Sequence, residues 1–220
     1  MTRIFKSVLV LFALATVGIA PSAEAATIRL FDGTTTIDIQ DNAGLDSDGD
    51  LGLIRFEAGD ANSGAIYTIE LGATKPLVGS AASPAMFFSL FVMNAVGNFE
   101  ISFSETGFSP ISAVGRYGAF GMSDGIKYDV LLDPTNTLFG GSVIDSTTST
   151  TNGFQFEKEL PLFSTQPYSL TQRFSFTMDA QNPVKNVTFG ALAVPDGGMT
   201  LSLFGLAVLG VEALRRKFKN

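Results

Sequence analysis

The sequence contains no cysteine, no histidine and no tryptophan in its 220 residues. Without cysteine the chain has no disulfide and no thiolate that could act as a nucleophile or bind a metal. Without histidine it lacks the commonest general base, the usual zinc ligand and the Ser-His-Asp triad. Ser-Lys and paired-carboxylate chemistry are not excluded, but these absences count against most enzyme classes. We therefore expect a protein that is not an enzyme.

Positive charge is scarce and is concentrated at the two ends of the chain. Residues 26–193, called the body below, contain eight basic and eighteen acidic side chains, a net charge of −10, whereas the whole chain carries −7. Nucleic-acid binding needs a basic surface, because the phosphate contacts depend on lysine and arginine. The charge balance thus argues against nucleic acid or an anionic polymer as a partner.

Long helical patterns are also missing from the body, whereas alternating apolar residues are frequent. Phe99, Ile101 and Phe103 share one side of a predicted strand, and Phe174 and Phe176 share one side of another. Apolar residues at every second position mark a strand with one buried face. By this criterion strands are predicted at residues 27–31, 35–40, 52–56, 65–71, 86–93, 99–104, 113–120, 126–132, 153–159, 173–179 and 186–192.

Most gaps between the predicted strands contain glycine, proline, asparagine or aspartate, which favour tight turns. Many short strands separated by turns, with no helix between them, are typical of antiparallel sheets packed face to face. We therefore predict an all-β body with an antiparallel β-sandwich or jelly-roll-like fold. Residues 142–152 are rich in serine and threonine and are predicted to form an exposed loop.

Two patterns look like catalytic features but have simpler explanations. Glu100 and Glu105 invite comparison with paired-carboxylate hydrolases, but both are expected on the polar, outward side of a strand. Gly115, Gly118 and Gly121 are spaced as in a phosphate-binding loop, but no helix follows whose N-terminus would bind the phosphate. We interpret this glycine stretch as a bulged or closely packed strand. No catalytic residue is predicted.

The sharpest site candidate is an acidic stretch that contains Asp41, Asp46, Asp48 and Asp50. Calcium takes six to eight oxygen ligands, which alternating carboxylates on a turning loop can supply. Counted from Asp46, carboxylates occupy EF-hand positions 1, 3 and 5, and Glu57 occupies position 12. Position 6 lacks the required glycine, and no helical pattern flanks the stretch. Calcium is the one cofactor hypothesis, and the alternative is a solvated turn.

The N-terminus has the three parts of a secretory signal peptide. Arg3 and Lys6 give a positive start, residues 8–20 form an apolar run, and Ala23 and Ala25 form a small-x-small cleavage site. We predict cleavage after Ala25 and export of the chain from residue 26 onward. The alternative is a permanent N-terminal anchor, for which the apolar run is short.

The C-terminus carries a turn, an apolar run and a basic end in that order. The turn motif consists of Val194, Pro195, Asp196, Gly197 and Gly198. The apolar run, residues 199–214, is shorter than the roughly 20 residues that cross a bilayer comfortably. The basic end, which would stay on the cytoplasmic side by the positive-inside rule, consists of Arg215, Arg216, Lys217 and Lys219. We predict a transmembrane helix in residues 199–214.

These C-terminal residues resemble the PEP-CTERM class of bacterial sorting tails, and most closely its VPDSG-CTERM variant, with Gly197 in place of the serine. The resemblance implies recognition by an exosortase-type membrane protease, cleavage near the motif and delivery to the cell surface. The membrane is then a partner through the apolar helix, transiently if the tail is cleaved and permanently if it is not.

A second resemblance covers residues 37–108. It comprises a strand end at Asp41 and Asn42, a Gly-Leu-Ile-Arg-Phe strand from Gly52, a Lys-Pro-Leu-Val-Gly-Ser turn from Lys75, and a Phe-Ser-Glu-Thr-Gly-Phe stretch that ends at Phe108. This string is similar to a segment of exported proteins with PEP-CTERM tails. It implies no particular activity.

The sequence thus predicts three parts: a signal peptide (1–25), a β-sandwich domain (26–193) and a sorting tail (194–220). We interpret the protein as an exported cell-surface or extracellular-matrix protein. The alternative is a carbohydrate-binding module for exopolysaccharide, because sandwich folds often bind sugars. Sugar platforms usually need exposed aromatic rings. Apart from phenylalanine, the body offers only Tyr67, Tyr117, Tyr128 and Tyr168.

Overall fold

The computed structural model describes residues 26–59, 66–94, 96–151, 153–180 and 184–193, which form twelve β-strands. The strands are β1 (Thr27–Phe31), β2 (Thr36–Gln40), β3 (Leu53–Gly59), β4 (Ile66–Ala73), β5 (Ala85–Met93), β6 (Gly97–Phe108), β7 (Ile111–Gly121), β8 (Lys127–Asp133), β9 (Ser142–Thr148), β10 (Phe154–Ser164), β11 (Tyr168–Met178) and β12 (Val184–Ala193). Within these ranges there is no helix long and apolar enough to span a membrane.

The strands pair into two six-stranded antiparallel sheets. Sheet A has the order β2-β1-β6-β11-β8-β9, and sheet B has the order β10-β7-β12-β5-β4-β3. From β6 onward the chain changes sheet at every connection except the one between β8 and β9. Most spatial neighbours are therefore distant in sequence, as in jelly-roll and other Greek-key folds. The predicted all-β antiparallel sandwich is confirmed.

The two sheets pack face to face through aromatic rings. Phe88 of sheet B stacks on Phe103 and Phe174 of sheet A, with ring centroids 5.9 and 5.6 Å apart. Tyr117 of sheet B meets Tyr128 of sheet A edge-on at 5.5 Å. All five side chains are fully buried. The alternating phenylalanines thus form the core because period-two spacing turns every second residue toward the opposite sheet.

A buried polar link also joins the two sheets. The hydroxyl of Tyr128 donates to Gln172 Oε1 at 2.7 Å, and Gln172 Nε2 donates to the carbonyl of Met86 at 2.9 Å. Burial raises the pKa of Tyr128 far above its ordinary value, so the hydroxyl stays protonated and available as a donor. The link gives the buried hydroxyl of Tyr128 and both polar atoms of the buried Gln172 amide a hydrogen-bond partner.

One sequence prediction about secondary structure is wrong. Residues 142–148 form β9 instead of an exposed loop, and they pair with β8 from Ser142 opposite Leu132 to Thr148 opposite Lys127. β9 is the outermost strand of sheet A and is largely exposed. An edge strand needs few apolar side chains, and threonine has a high preference for β structure. The alternation of apolar residues that marks other strands is therefore absent from β9 and gave no signal for it.

The glycine stretch after Gly115 lies in β7, as interpreted from the sequence. A Cβ atom at Gly118 would lie 2.5 Å from the carbonyl oxygen of Phe156 on β10, so only glycine lets the two strands approach this closely. The partner strand β10 continues through Pro161, which the sequence analysis placed beyond its end. β10 is an edge strand of sheet B, where a residue without an N–H group is tolerated.

Candidate functional site

The acidic stretch forms a loop, residues 41–52, between β2 and β3, which belong to different sheets. Asp41, at the end of β2, is buried, and its carboxylate accepts hydrogen bonds from the backbone N–H of Gly52 at 2.8 Å and from Asn42 Nδ2 at 2.9 Å. Burial raises the pKa of Asp41, and the bond from Gly52 partly offsets this. Asp41 thus holds the two ends of the loop together.

Asp46 organises the middle of the loop. Its carboxylate accepts three backbone N–H groups, those of Asn42 at 2.9 Å, Asp48 at 3.0 Å and Arg55 at 3.0 Å. Asp48 in turn accepts the N–H of Asp50 at 2.9 Å, and its other oxygen lies 3.5 Å from Arg55 Nε. The bonds from the N–H groups of Asp48 and Asp50 are Asx-turn contacts, in which a short acidic side chain satisfies a backbone donor two residues further on. The bond from Arg55 joins the loop to β3.

The predicted calcium ligands are therefore neighbours in one loop, and the carboxylates of Asp41, Asp46 and Asp48 bind the loop's own backbone. Among the residues that the structure describes, no group of three or more acidic side chains is placed to hold a metal ion. The calcium hypothesis stays a prediction.

The prediction that Glu105 is solvated is wrong, because this side chain is only 3% exposed. Lys75 Nζ donates to Glu105 Oε1 and to the carbonyl of Thr106, both at 2.6 Å, and lies 5.1 Å from the centre of the Phe108 ring. Burial raises the pKa of Glu105, and the hydrogen bond from Lys75 lowers it in part. Glu100, in contrast, lies on the outward side as predicted and is half-exposed.

Hydrogen bonds, including the buried ion pair of Lys75 and Glu105, connect the four parts of the segment 37–108 in space. Asp41 binds Gly52, the carbonyl of Gly52 accepts the N–H of Thr74, and Lys75 binds Glu105. All four parts of the string thus meet at one end of the sandwich. The two carboxylates of this arrangement, Asp41 and Glu105, are both buried.

A groove of about 710 Å³ lies on the outer face of sheet A. Its centre is the ion pair of Arg29 and Asp38, in which Nε and Nη2 of Arg29 each donate to one carboxylate oxygen at 2.7 Å. The guanidinium also lies over the ring of Phe139, 4.1 Å from its centre. Gln40 adds an exposed amide. The lining comprises Thr27, Arg29, Asp38, Gln40, Ala43, Gly44, Leu45, Leu138 and Phe139.

One wall of the groove is the loop between β8 and β9, residues 134–141, which folds back over sheet A. The N–H of Phe139 donates to Ser104 Oγ at 3.0 Å, and Ser169 Oγ donates to the carbonyl of Thr137 at 2.6 Å. Asp133 accepts the N–H groups of Thr135 at 2.9 Å and Thr137 at 3.1 Å. Sequence reasoning missed this groove, because its residues come from distant segments.

The four tyrosines do not form a sugar-binding platform. Tyr67, Tyr117, Tyr128 and Tyr168 are all fully buried in the core. The exposed aromatic side chains among the described residues are Phe31 and Phe163, which lie on different sheets. A sugar that stacks on this protein would therefore need phenylalanine.

The predicted sorting and cleavage residues lie outside the described residues. They are Ala23 and Ala25 of the signal peptide, Val194, Pro195, Asp196, Gly197 and Gly198 of the turn motif, and Arg215, Arg216, Lys217 and Lys219 of the basic end. The predicted transmembrane helix at residues 199–214 lies outside them as well.

The comparison with protein families concerns these C-terminal residues. The family model of the VPDSG-CTERM motif matches residues 193–218, which confirms the resemblance drawn from the turn, the apolar run and the basic end. A sorting motif of this kind supports export and a surface location. No curated protein sequence matches the chain.

Several solved structures share part of the arrangement of strands. The K2 cleaved adhesin domain of Lys-gingipain is 12% identical, covers 79% of this chain and 99% of its own, and has a TM-score of 0.38. The adhesin domain of Epf from Streptococcus pyogenes is 11% identical, with coverages of 78% and 58% and a TM-score of 0.37. A Family 29 carbohydrate-binding module from Piromyces equi is 13% identical, with coverages of 64% and 98% and a TM-score of 0.33. These similarities are too low to support an inference about a ligand.

Proposed function

We propose that this protein is exported and then displayed at the cell surface or in the extracellular matrix, where its β-sandwich acts without catalysis. The observation that carries this proposal is the VPDSG-CTERM motif at residues 193–218. The signal-peptide pattern at residues 1–25 agrees with it. The partner implied by the motif is an exosortase-type membrane protease that cleaves near Pro195 and Asp196.

A non-catalytic role agrees with the placement of the acidic side chains. Glu100 lies on the outer face of sheet A, whereas Glu105 is buried at the end of the sandwich in an ion pair with Lys75. Glycoside hydrolysis by two carboxylates needs both groups on either side of one bond, within about 10 Å of each other and open to the substrate. Glu105 is not open to a substrate.

Replacing Pro195, Asp196 and Gly197 together by alanine tests the sorting role. We expect the variant to stay in the inner membrane, since the turn that the protease recognises is lost while the signal peptide and the apolar run are kept. The measurement is immunoblotting of inner-membrane and surface fractions, with mass spectrometry of both ends of the mature chain. The wild type should lack residues 1–25 and most of residues 199–220.

Asp179→Ala is a suitable control, because it changes an exposed acidic residue of the body and leaves the motif intact. It should reach the surface as the wild type does. Surface delivery of the triple-alanine variant at the wild-type level would contradict the sorting role. An intact C-terminus in mature surface protein would contradict cleavage of the tail.

The groove on sheet A favours a second candidate function, the binding of a glycan. Its polar centre offers the carboxylate of Asp38, the guanidinium of Arg29 and the amide of Gln40, and Phe139 and Leu45 supply apolar walls. Planar polar side chains beside apolar surface are the usual composition of a small-ligand site. The acidic body favours a neutral glycan over an anionic one.

An array of neutral and anionic glycans, probed with the full chain, tests this candidate. Gln40→Ala should weaken binding about tenfold, the loss expected for one or two hydrogen bonds. Gln155→Ala, which changes another exposed glutamine, on the outer face of sheet B, should leave binding unchanged. If no glycan is retained, or if both variants weaken binding equally, the groove is not a glycan site.

A further inference from the structure

Phe31 is an exposed aromatic side chain on the outer face of sheet A. It is 38% exposed, whereas the other phenylalanines in the strands of sheet A are buried. Phe31 and Arg29 are two residues apart on β1, so their side chains lie on the same face, about 7 Å apart along the strand. The ion pair of Arg29 and Asp38 therefore has an exposed aromatic ring next to it, on the side away from Gln40.

Phe31 and the polar residues of the groove form a straight strip along β1 and β2. The two strands are antiparallel, and Asp38 stands opposite Arg29. We call Phe31, Arg29, Asp38 and Gln40 the β1–β2 strip. Gln40 stands opposite Thr27, four residue steps from Phe31, so the strip is about 14 Å long. It is longer than one sugar ring and suits a short stretch of a glycan chain.

The ion pair in the strip has hydrogen-bonding capacity left for a ligand. Nε and Nη2 of Arg29 donate to Asp38, which leaves the N–H groups of Nη1 for a ligand among the described contacts. Each oxygen of Asp38 accepts one of these bonds and keeps a further lone pair. Donors and acceptors thus stand side by side on a pair without net charge. Two adjacent hydroxyl groups match this arrangement, because one can accept from Arg29 while the other donates to Asp38.

Phe139 holds the guanidinium of Arg29 in place. Its ring lies under the guanidinium, with 4.1 Å between the ring centre and Cζ. Phe139 has a φ of 59°, which a bulky residue rarely adopts, and its N–H donates to Ser104 Oγ at 3.0 Å. Because Arg29 already covers one face of the Phe139 ring, the exposed ring that can pack against a sugar in this strip is that of Phe31.

We propose that the β1–β2 strip binds a neutral glycan chain, with one sugar ring over Phe31 and two adjacent hydroxyls of the next unit bridging Arg29 and Asp38. The inference rests on the glycan candidate given above and adds Phe31, which lies outside the groove, as a specificity-determining residue. A sugar ring packs its C–H groups on an aromatic face, which carries partial negative charge. An anionic sugar would compete with Asp38 for Arg29, and the net charge of −10 on residues 26–193 opposes it.

Affinity electrophoresis of the full chain tests the proposal. The probes are soluble neutral polymers, namely a glucan, a mannan, a galactan and a xylan, each cast into native gels at increasing concentration. We expect at least one polymer to retard the wild type, and the retardation gives the Kd. Phe31→Ala should raise this Kd about tenfold, because the packing surface for the ring is lost. Phe31→Tyr keeps the ring and should bind as the wild type does.

Phe163→Ala is the matched control for Phe31→Ala. Phe163 is 70% exposed but lies on sheet B, so the loss of its ring should leave the Kd unchanged. Thermal unfolding followed by circular dichroism checks that the variants are folded. If Phe31→Ala is not folded, Phe31→Leu replaces it, since leucine keeps apolar bulk without a ring.

Asp38→Asn tests the second contact of the strip. It should raise the Kd about tenfold, because the glycan loses a charged acceptor. Glu157→Gln is its matched control, since it removes the same charge from the exposed ion pair of Glu157 with Arg116 on sheet B. The O-methylated form of the retained polymer should also bind about tenfold more weakly than the unmodified polymer, because a methyl ether cannot donate to Asp38.

The results separate this inference from the glycan candidate. If Gln40→Ala weakens binding but Phe31→Ala does not, or if Phe163→Ala weakens it equally, the role of Phe31 is wrong and the groove still binds a glycan. If Asp38→Asn or the methylated polymer binds as the unmodified pair does, the bridging of Arg29 and Asp38 by hydroxyls is wrong. If no polymer retards the wild type, the glycan candidate and this inference are both wrong.

Discussion

Lys75→Met is expected to lower the free energy of unfolding by about 3–5 kcal/mol, the range for breaking a buried ion pair by removing one partner. Methionine fills a similar volume but has no charge. The substitution leaves Glu105, which is 3% exposed, as a buried carboxylate without its cation, and it also removes the donor to the carbonyl of Thr106. Unfolding in guanidinium chloride at pH 7 measures the loss.

The free energy of unfolding that Lys75→Met loses should become smaller as the pH falls. The pKa of Glu105 is already raised by burial, more than the bond from Lys75 lowers it. The folded state therefore binds a proton on Glu105 more tightly than the unfolded chain does, and ionisation of Glu105 costs stability as the pH rises through its folded pKa. Removing Lys75 raises this pKa further. Protonation at pH values toward the ordinary 4.5 should then relieve most of the penalty.

Arg116→Met is the matched control for Lys75→Met. Arg116 pairs with Glu157 at 3.0 Å, but both side chains are about half-exposed. An exposed ion pair contributes only about 0–1 kcal/mol, so this variant should unfold almost as the wild type does at both pH values. If Lys75→Met lowered the free energy of unfolding as little as Arg116→Met does, the ion pair of Lys75 and Glu105 would not be important for stability. The same would follow if the effect of Lys75→Met did not depend on pH.

Asp46→Ala is expected to lower the free energy of unfolding by about 2–3 kcal/mol, because three backbone N–H groups lose a charged acceptor. Asp50→Ala is the control in the same loop. The exposed carboxylate of Asp50 makes no hydrogen bond or ion pair among the described contacts, so the change should stay within about 0.5 kcal/mol. Similar losses in both variants would contradict the bracing role of Asp46.

The same variants test the calcium hypothesis. If Asp41, Asp46, Asp48 and Asp50 bind calcium, millimolar calcium should raise the melting temperature of the wild type, because a ligand that binds only the folded state stabilises it. At an extracellular-type Kd of roughly 10⁻⁴–10⁻³ M the gain would be about 1–2 kcal/mol. Asp50→Ala should then lose this response. If the wild type has the same melting temperature in calcium and in chelator, the calcium hypothesis is wrong. The loop is then a turn stabilised by its own carboxylates.

Much of the secondary structure could be read from the sequence, because a strand with one buried face is a local pattern. Phe99, Ile101 and Phe103 alternate with polar residues and indeed line the core. The same rule, continued two residues further, places Glu105 on the side of the phenylalanines. Its position in the alternating pattern was the available signal for its burial. The signal was missed because acidic side chains are usually exposed to solvent. β9 offered no such signal, since an edge strand needs no buried face.

The sorting motif was determined by the sequence alone. Its turn, apolar run and basic end are contiguous, so residues 193–218 carry the whole signal without reference to the fold. The export pattern of residues 1–25 is linear in the same way. The lack of cysteine and histidine likewise needs no structure to restrict the chemistry of the body.

Only the tertiary structure decided which distant residues meet. Lys75 and Glu105 are 30 positions apart, and the groove joins Arg29 and Asp38 to Phe139, which is about a hundred residues away along the chain. Whether a carboxylate braces a loop, pairs in the core or faces solvent depends on these partners. Sequence periodicity reports the side of a strand on which a residue lies. It does not report which strand lies opposite, because pairing depends on the order of strands in the two sheets.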